Sequence, residues 1–186
     1  MEITIEKIIF LIIIVLIFYV IFAYNGFVKR KYRVKEAWSD IEVQLKRRYD
    51  LIGNLVNTVK GYAIHEKEVL TKITELRSNF YNLNDVKDID LNQKQMNDLI
   101  RNLFVIVENY PQLKANENFK ELQMELSDTE NKIQAARRFY NQVVMDYNTF
   151  LKIFPNNLLN LIFRFKEEEF FDLESQEESK RVEVKF

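Results

Sequence analysis

Residues 8–24 read IIFLIIIVLIFYVIFAY, seventeen consecutive positions without a charge. Asn25, Gly26, Phe27 and Val28 are uncharged too and lengthen the run to 21 residues. As a helix it is about 31 Å long, at ~1.5 Å per residue, which is enough to cross the hydrocarbon of a bilayer. A cleaved signal peptide is the competing reading. Its basic start is missing, because Glu2 and Glu6 accompany Lys7, and residues 21–27 (IFAYNGF) offer no small-x-small cleavage pattern. The run is therefore expected to be a retained transmembrane helix over 8–28.

The flanks predict its direction. Lys29, Arg30, Lys31, Arg33 and Lys35 follow the span, whereas Lys7 is the one basic side chain before it. The basic side stays in the cytoplasm, so residues 1–7 are expected outside and the rest of the chain inside. The same cluster either serves topology alone or also attracts anionic lipid headgroups at the membrane surface.

The chain of 186 residues has only 3 Gly and 2 Pro, too few for hairpin turns, phosphate-binding loops or a multi-stranded sheet, so an all-α fold is expected. Beyond the span, apolar residues recur at steps of four and three: Val34, Trp38, Ile41, Leu45, Arg48, Ile52, Leu55, Val59, Tyr62, Glu66, Val69, Ile73, Leu76, Phe80 and Leu83. Thirteen of these fifteen are apolar, the repeat of a coiled-coil seam. One long helix from the membrane to residue 83 is predicted, with Gly53 and Gly61 off the stripe and available for a bend or a close helix approach. The Asn- and Asp-rich stretch 82–90 reads as a turn. A second helix carries Met96, Leu99, Leu103, Ile106 and Tyr110 and ends at Pro111. A third begins near Asn116, a side chain suited to capping free amides. Its stripe runs from Phe119 through Leu122, Leu126, Thr129, Ile133, Ala136, Tyr140, Val143, Tyr147 and Phe150 to Phe154, and Pro155 stops it.

A short apolar segment, residues 156–165 (NNLLNLIFRF), follows. It either covers the open end of a helical bundle or lies in a membrane interface, and with ten residues and one Arg it makes a weak interfacial anchor, which favours the cover. Seven acidic and no basic residues occupy 167–178, a tail expected to be mobile, and 181–186 (RVEVKF) alternates like a short strand. The domain plan is thus a short outer N-terminus (1–7), the span (8–28), a cytoplasmic antiparallel bundle of three long helices and a short C-terminal one (29–165), and an acidic tail (166–186).

Chemistry is sparse in this chain. No cysteine excludes disulfides, thiolate metal sites and Cys nucleophiles, and one histidine, His65, cannot furnish the paired Glu-x-x-His motifs of a di-iron bundle. No phosphate loop or nucleophile elbow occurs. A net charge of −1 argues against nucleic acid as a partner. The sharper features are Arg48 and Glu66, charges at core-facing stripe positions, where an unpaired charge is costly. About 27 Å apart on one helix at ~1.5 Å per residue, they require partners elsewhere, and Glu108, Glu125 and Glu130 are candidates for Arg48. They read as register-fixing polar groups, with ligand binding as the alternative. Gln44, Asp50, Asn54, Asn57 and Lys60 form a polar stripe beside the core residues Trp38, Ile41, Leu45, Ile52 and Val59, either a solvated face or a docking surface.

The run EAWSDIEVQLKRRYDLIGNLVNTVKGYAIHE (residues 36–66) resembles the central motif of the LemA family. So do Tyr24-Asn25, YPQLKANENF (110–119), LQMEL (122–126), TEN (129–131), RRFYN (137–141) and Phe154-Pro155. The resemblance implies a bacterial single-pass protein of the inner membrane with an antiparallel helical bundle in the cytoplasm, and implies no particular reaction. Gly53 departs from the family's D-L-I-P-N-L-V pattern, which removes a proline kink there.

The function expected on these grounds is that of a non-enzymatic, membrane-anchored scaffold that self-assembles or docks a partner. An accessory or sensor subunit of a membrane machine is the alternative, and a ligand- or metal-binding bundle a weaker one. No cofactor or metal is expected. The lipid bilayer, a second copy of the chain and an unidentified protein are the expected partners. The unequal lengths of the three stripes supply the argument for self-association, since surplus seam needs cover.

Overall fold

The computed structural model describes residues 5–63, 65–83 and 85–171. They form six helices: α1 (Ile5–Lys60), α2 (Lys67–Phe80), α3 (Val86–Val107), α4 (Pro111–Ala115), α5 (Glu117–Lys152) and α6 (Asn156–Phe163). No strand occurs among the described residues. The all-α expectation holds. The strand-like segment 181–186 and most of the acidic tail lie outside the described residues.

The apolar run and the first part of the coiled-coil stripe form one uninterrupted helix, α1, as the lack of a breaker between them foretold. Its N-terminal part is long and apolar enough to cross a membrane, and none of that stretch is buried inside the molecule. Phe10, Leu11, Ile12, Leu16 and Phe18 all face outward.

The stripe from Val34 to Leu83 does not form one helix. It breaks after Lys60 and resumes at Lys67. Local signals for the break are present: Gly61 follows a basic residue in the last turn of α1, and Glu68 lies in the first turn of α2. Burial supplies the driving force. The ring of Phe80 stacks on Tyr49 at 4.2 Å, and Arg77 Nε donates to the Tyr49 carbonyl at 2.9 Å. The C-terminal half of the stripe thus packs on the first half within its own chain, and the surplus seam that argued for a second copy is covered internally. Three long helices were expected; four longer helices and two short ones result.

The remaining boundaries follow local chemistry. Asp85 caps α3 by accepting from the Lys87 amide at 2.8 Å, so the turn is shorter than the 82–90 expected. Pro111 occupies the first position of α4, where its missing N–H costs nothing. Asn116 Oδ1 accepts the Phe119 amide at 3.1 Å and opens α5 where a cap was expected. The helix stops at Lys152, just before Pro155.

The chain divides into two compact units. The first comprises residues 1–39 and 139–170. Its core takes Ala23, Phe27, Val34 and Ala37 from α1 and Tyr140, Val143, Val144, Tyr147 and Leu151 from α5. Phe27 is fully enclosed, with the rings of Phe150 and Phe165 each 5.1 Å away. Trp38 packs edge-on to Tyr140 at 5.6 Å. The start of the acidic tail, expected to be free, is tied down here. Tyr147 Oη donates to the Lys166 carbonyl at 3.0 Å, Tyr140 Oη to that of Glu169 at 3.0 Å, and the Asn148 amide exchanges two bonds with the Glu168 backbone. A stretch of backbone outside any helix needs partners, and polar side chains on α5 supply them.

The second unit comprises residues 40–138 and 171–186, of which 171 is the last described. Its core runs through Tyr49, Ile52, Leu55, Val59, Ile73, Met96, Leu103, Leu113 and Phe119. Nearly all the apolar stripe positions are buried or half-buried, and Tyr62 and Phe154 are the exposed exceptions.

Candidate functional site

The described polar chemistry of the second unit centres on Arg48. Its helix register turns it inward among Ile52, Leu45 and Ile41, and it is only 6% exposed. A buried guanidinium needs its donors satisfied and its charge balanced. Nη1 donates to Gln93 Oε1 at 2.6 Å and lies 2.9 Å from Glu130 Oε2, while Nη2 donates to Asn97 Oδ1. Of the three acids expected to serve Arg48, Glu130 does so. Glu125 pairs with Arg47 instead, at 2.5 Å, and Glu108 lies exposed just beyond α3.

The network continues into Tyr49. Gln93 Nε2 donates to Tyr49 Oη at 2.6 Å, Tyr49 Oη donates to Asn92 Oδ1, and Asn92 Nδ2 donates to the Leu76 carbonyl at 3.2 Å. Burial pushes the Tyr49 phenol well above its ordinary value, against the opposing pull of Arg48, so Tyr49 is a neutral hydrogen-bonding group. A second pair lies nearby: Arg137 Nη1 is 3.7 Å from Asp90 Oδ1, and its guanidinium sits over the Phe171 ring at 4.3 Å.

Tyr49, Asn92, Gln93 and Asn97 were not singled out from the sequence. Stepping back from Met96 by three and four lands on Gln93 and Asn92, so both occupy core slots of α3. A stripe followed through apolar residues alone begins at Met96 and passes over these two amides.

Glu66, expected inward on a continuous helix, instead flanks the start of α2 at the helix break, half-exposed, and accepts from Tyr110 Oη at 3.3 Å. The break also removes the straight-rod separation between Arg48 and Glu66. Along the expected docking stripe, Asp50, Asn54, Asn57 and Lys60 are exposed and Gln44 is half-buried. At ~100° per residue Asp50, Asn54 and Asn57 share one face, Lys60 trails it by ~80° and Gln44 lies ~120° away. Asp50 is partly engaged, with Arg77 Nη2 at 3.6 Å and Tyr81 Oη at 3.4 Å. Gly53 makes room for Arg77: a Cβ there would lie 3.0 Å from its Cζ. Close approach of a side chain from α2 is thus what this glycine permits.

In the first unit, the basic cluster follows the apolar span on α1. Lys29, Arg33 and Lys35 are exposed and Arg30 and Lys31 half-buried. Arg30 lies over the Phe150 ring at 3.7 Å, and Lys29, Arg30 and Arg33 wall a cavity of about 650 Å³ with Asp146 and Thr149.

Arg48 and Glu130 also line a hollow of about 500 Å³. Arg48 and Glu130 pair with each other there, and the exposed Arg101 stands at its rim, 4.0 Å from Asp98. Among the described residues no group of three or more His, Asp or Glu side chains could hold a metal ion. His65 is exposed in the loop before α2. The arrangement ties Arg48 of α1 to α3 and α5, and it does not pair a nucleophile with a base.

Residues 37–186 match the model of the LemA family. Protein LemA of Metamycoplasma hominis is 30% identical over 187 aligned positions, covering 93% of this chain and 85% of that protein. Magnetosome protein MamQ 2 of Paramagnetospirillum magneticum and magnetosome protein MamQ of Magnetospirillum gryphiswaldense are each 24% identical over 174 positions, covering 80% of this chain and 64% of theirs. None of these names states an enzymatic activity.

Proposed function

The chain belongs to the LemA family, and on that premise we propose that it is a non-enzymatic scaffold that anchors a helical docking module to the cytoplasmic face of a bacterial membrane. The observation that carries this reading is α1 itself. One helix bears an outward-facing apolar span at its start and, further on, core residues packed against other helices. The five basic residues directly after the span favour an N-terminus outside and a module from residue 29 onward inside.

An antiparallel arrangement of α1 and α5 accounts for the pairings found within each unit. Phe27 meets Phe150, Trp38 meets Tyr140 and Arg48 meets Glu130, so numbers rise on α1 as they fall on α5. The Arg48 network supports a rigid module rather than a reactive one, since its guanidinium donates to Gln93 and Asn97 and is balanced by Glu130. Docking falls to the exposed face carrying Asp50, Asn54 and Asn57, which binds a second copy of the chain or another membrane-associated protein.

Photo-crosslinking side chains placed at Asn54 and Asn57 of the full-length protein, in its own membranes, test this. Adducts of discrete size from both positions, absent from the same label at Met124, are expected. No adduct from either position would contradict the docking role.

A further inference from the structure

The turn between α5 and α6 and the outer face of α6 remain unaccounted for in the first unit. Residues 153–163, IFPNNLLNLIF, hold no charge over eleven positions and are bracketed by Lys152 and Arg164. Their apolar side chains are conspicuously open: Phe154 is 77% exposed, Leu161 75% and Ile162 72%. The sequence favoured a covering role for this segment, but a cover buries its apolar residues, and these point away from the chain.

The placement beside α1 suggests what they face. Tyr19 Oη donates to Asn156 Oδ1 at 2.8 Å, and Phe163 packs against Tyr24 at 5.1 Å and Phe27 at 6.4 Å. Segment 156–163 therefore runs alongside residues 19–27 of the apolar span. Tyr19 lies ten residues before Lys29, the first charge after the span, or about 15 Å along the axis at ~1.5 Å per residue. A segment at that level sits beside lipid if the span crosses a bilayer.

Much of its polar surface is dealt with internally, as a hydrocarbon surrounding demands, with the exposed Asn157 amide group left at the turn. Asn156 accepts from Tyr19, and Asn157 Oδ1 accepts the Leu158 amide at 2.9 Å. Asn160 closes the C-terminus of α6 with two bonds to the Phe165 backbone. The outward surface is mostly apolar, Ile153, Phe154, Leu158, Leu161 and Ile162, with Asn157 the polar exception. At the far end stand Lys29, Arg30 and Arg33, at the level where phospholipid headgroups begin.

We propose that the α5–α6 turn and α6 form a second, re-entrant membrane contact, inserted from the cytoplasmic leaflet beside the transmembrane part of α1, with the acyl chains of the bilayer as its occupant. This rests on the membrane-anchor reading given above. It makes the protein bipartite at the membrane: α1 crosses, and the α6 hairpin dips in and fixes the rotation and depth of the first unit.

The chain has no cysteine, so single spin labels can be placed without background on the full-length protein. Leu161→Cys and Ile162→Cys sit on exposed positions and disturb no core. Leu16→Cys marks the span, and Met124→Cys marks water. Each labelled protein is reconstituted into phosphatidylcholine–phosphatidylglycerol vesicles, and the label's collision rates with oxygen and with a water-soluble nickel chelate are compared. Labels at 161 and 162 are expected to shift to the oxygen-rich, nickel-poor ratio of position 16. Values at 161 and 162 like those at 124, with 16 still lipid-exposed, would overturn the hairpin contact and leave the anchor standing. A water-like value at 16 would overturn both. Shielding of 161 and 162 from both reagents would mean protein covers this face, which also overturns the proposal.

Discussion

Arg48 shows how a single residue can be legible in a sequence while its surroundings are not. A charge on an otherwise apolar stripe has to be balanced, and the sequence confined the candidates to a few acids. The neutral partners were out of reach, because Gln93, Asn97 and Tyr49 carry no charge imbalance to betray them. The network's energetics make it testable. Arg48→Met leaves Glu130, half-exposed, and the amides of Gln93 and Asn97 without their donor, and is expected to destabilise the protein by about 2–4 kcal/mol. Adding Glu130→Leu should recover part of that loss, since the uncompensated acid goes with it. Thermal melting of both variants in detergent reads the difference.

The tyrosines of the first unit supply a pH test on the same scale. Burial, reinforced by Glu168 and Glu169, raises the Tyr140 phenol to about 12 from an ordinary 10.0. The folded state holds this proton more tightly than the unfolded chain does. Its contribution is fully present below pH 10 and is lost as pH rises from there toward 12. Tyr140→Phe is therefore expected to make the fall of stability above pH 10 shallower, measured as denaturation midpoint against pH. An unchanged slope would contradict the assignment.

At the scale of elements, periodicity located the helices and misjudged where one stripe became two. A seam repeat is blind to a chain reversal, because α2 presents the same spacing whether it prolongs α1 or packs back on it. The information lay in Gly61 and the charges around it, which a pattern count passes over. Helix starts were easier to read: Asn116 caps α5 through its own side chain, so the signal and the structure are the same atoms. The glycines divide by what surrounds them. A Cβ at Gly26 would lie 2.8 Å from Phe150 Cζ, in a ring cluster that also holds Phe27 and Arg30. At Gly61 the nearest atom is 3.5 Å away, an ordinary contact. Gly26→Ala is expected to cost about 1–2 kcal/mol by forcing that ring aside, whereas Gly61→Ala should be close to neutral. Melting temperatures of the two variants decide between this packing account and one resting on glycine flexibility alone.

For the molecule as a whole, α1 joins an apolar span and core-forming residues in one helix, and that much was written in residues 8–83 as an uncharged run followed directly by a stripe. The polar stripe, the basic cluster and the paired interior charges each fit a protein that works by holding position. The reversal at Gly61 changes one inference: unequal stripe lengths no longer call for a second copy, and the proposal of self-association rests on the exposed face of α1 instead. The central claim is that α1 anchors a module lying on the cytoplasmic side. Met124, exposed on α5, provides the most direct measurement. With Met124→Cys as the protein's one thiol, a membrane-impermeant maleimide applied to intact cells is expected to leave it unlabelled and to label it fully once the membrane is permeabilised. Labelling in intact cells would place the module outside and contradict the account.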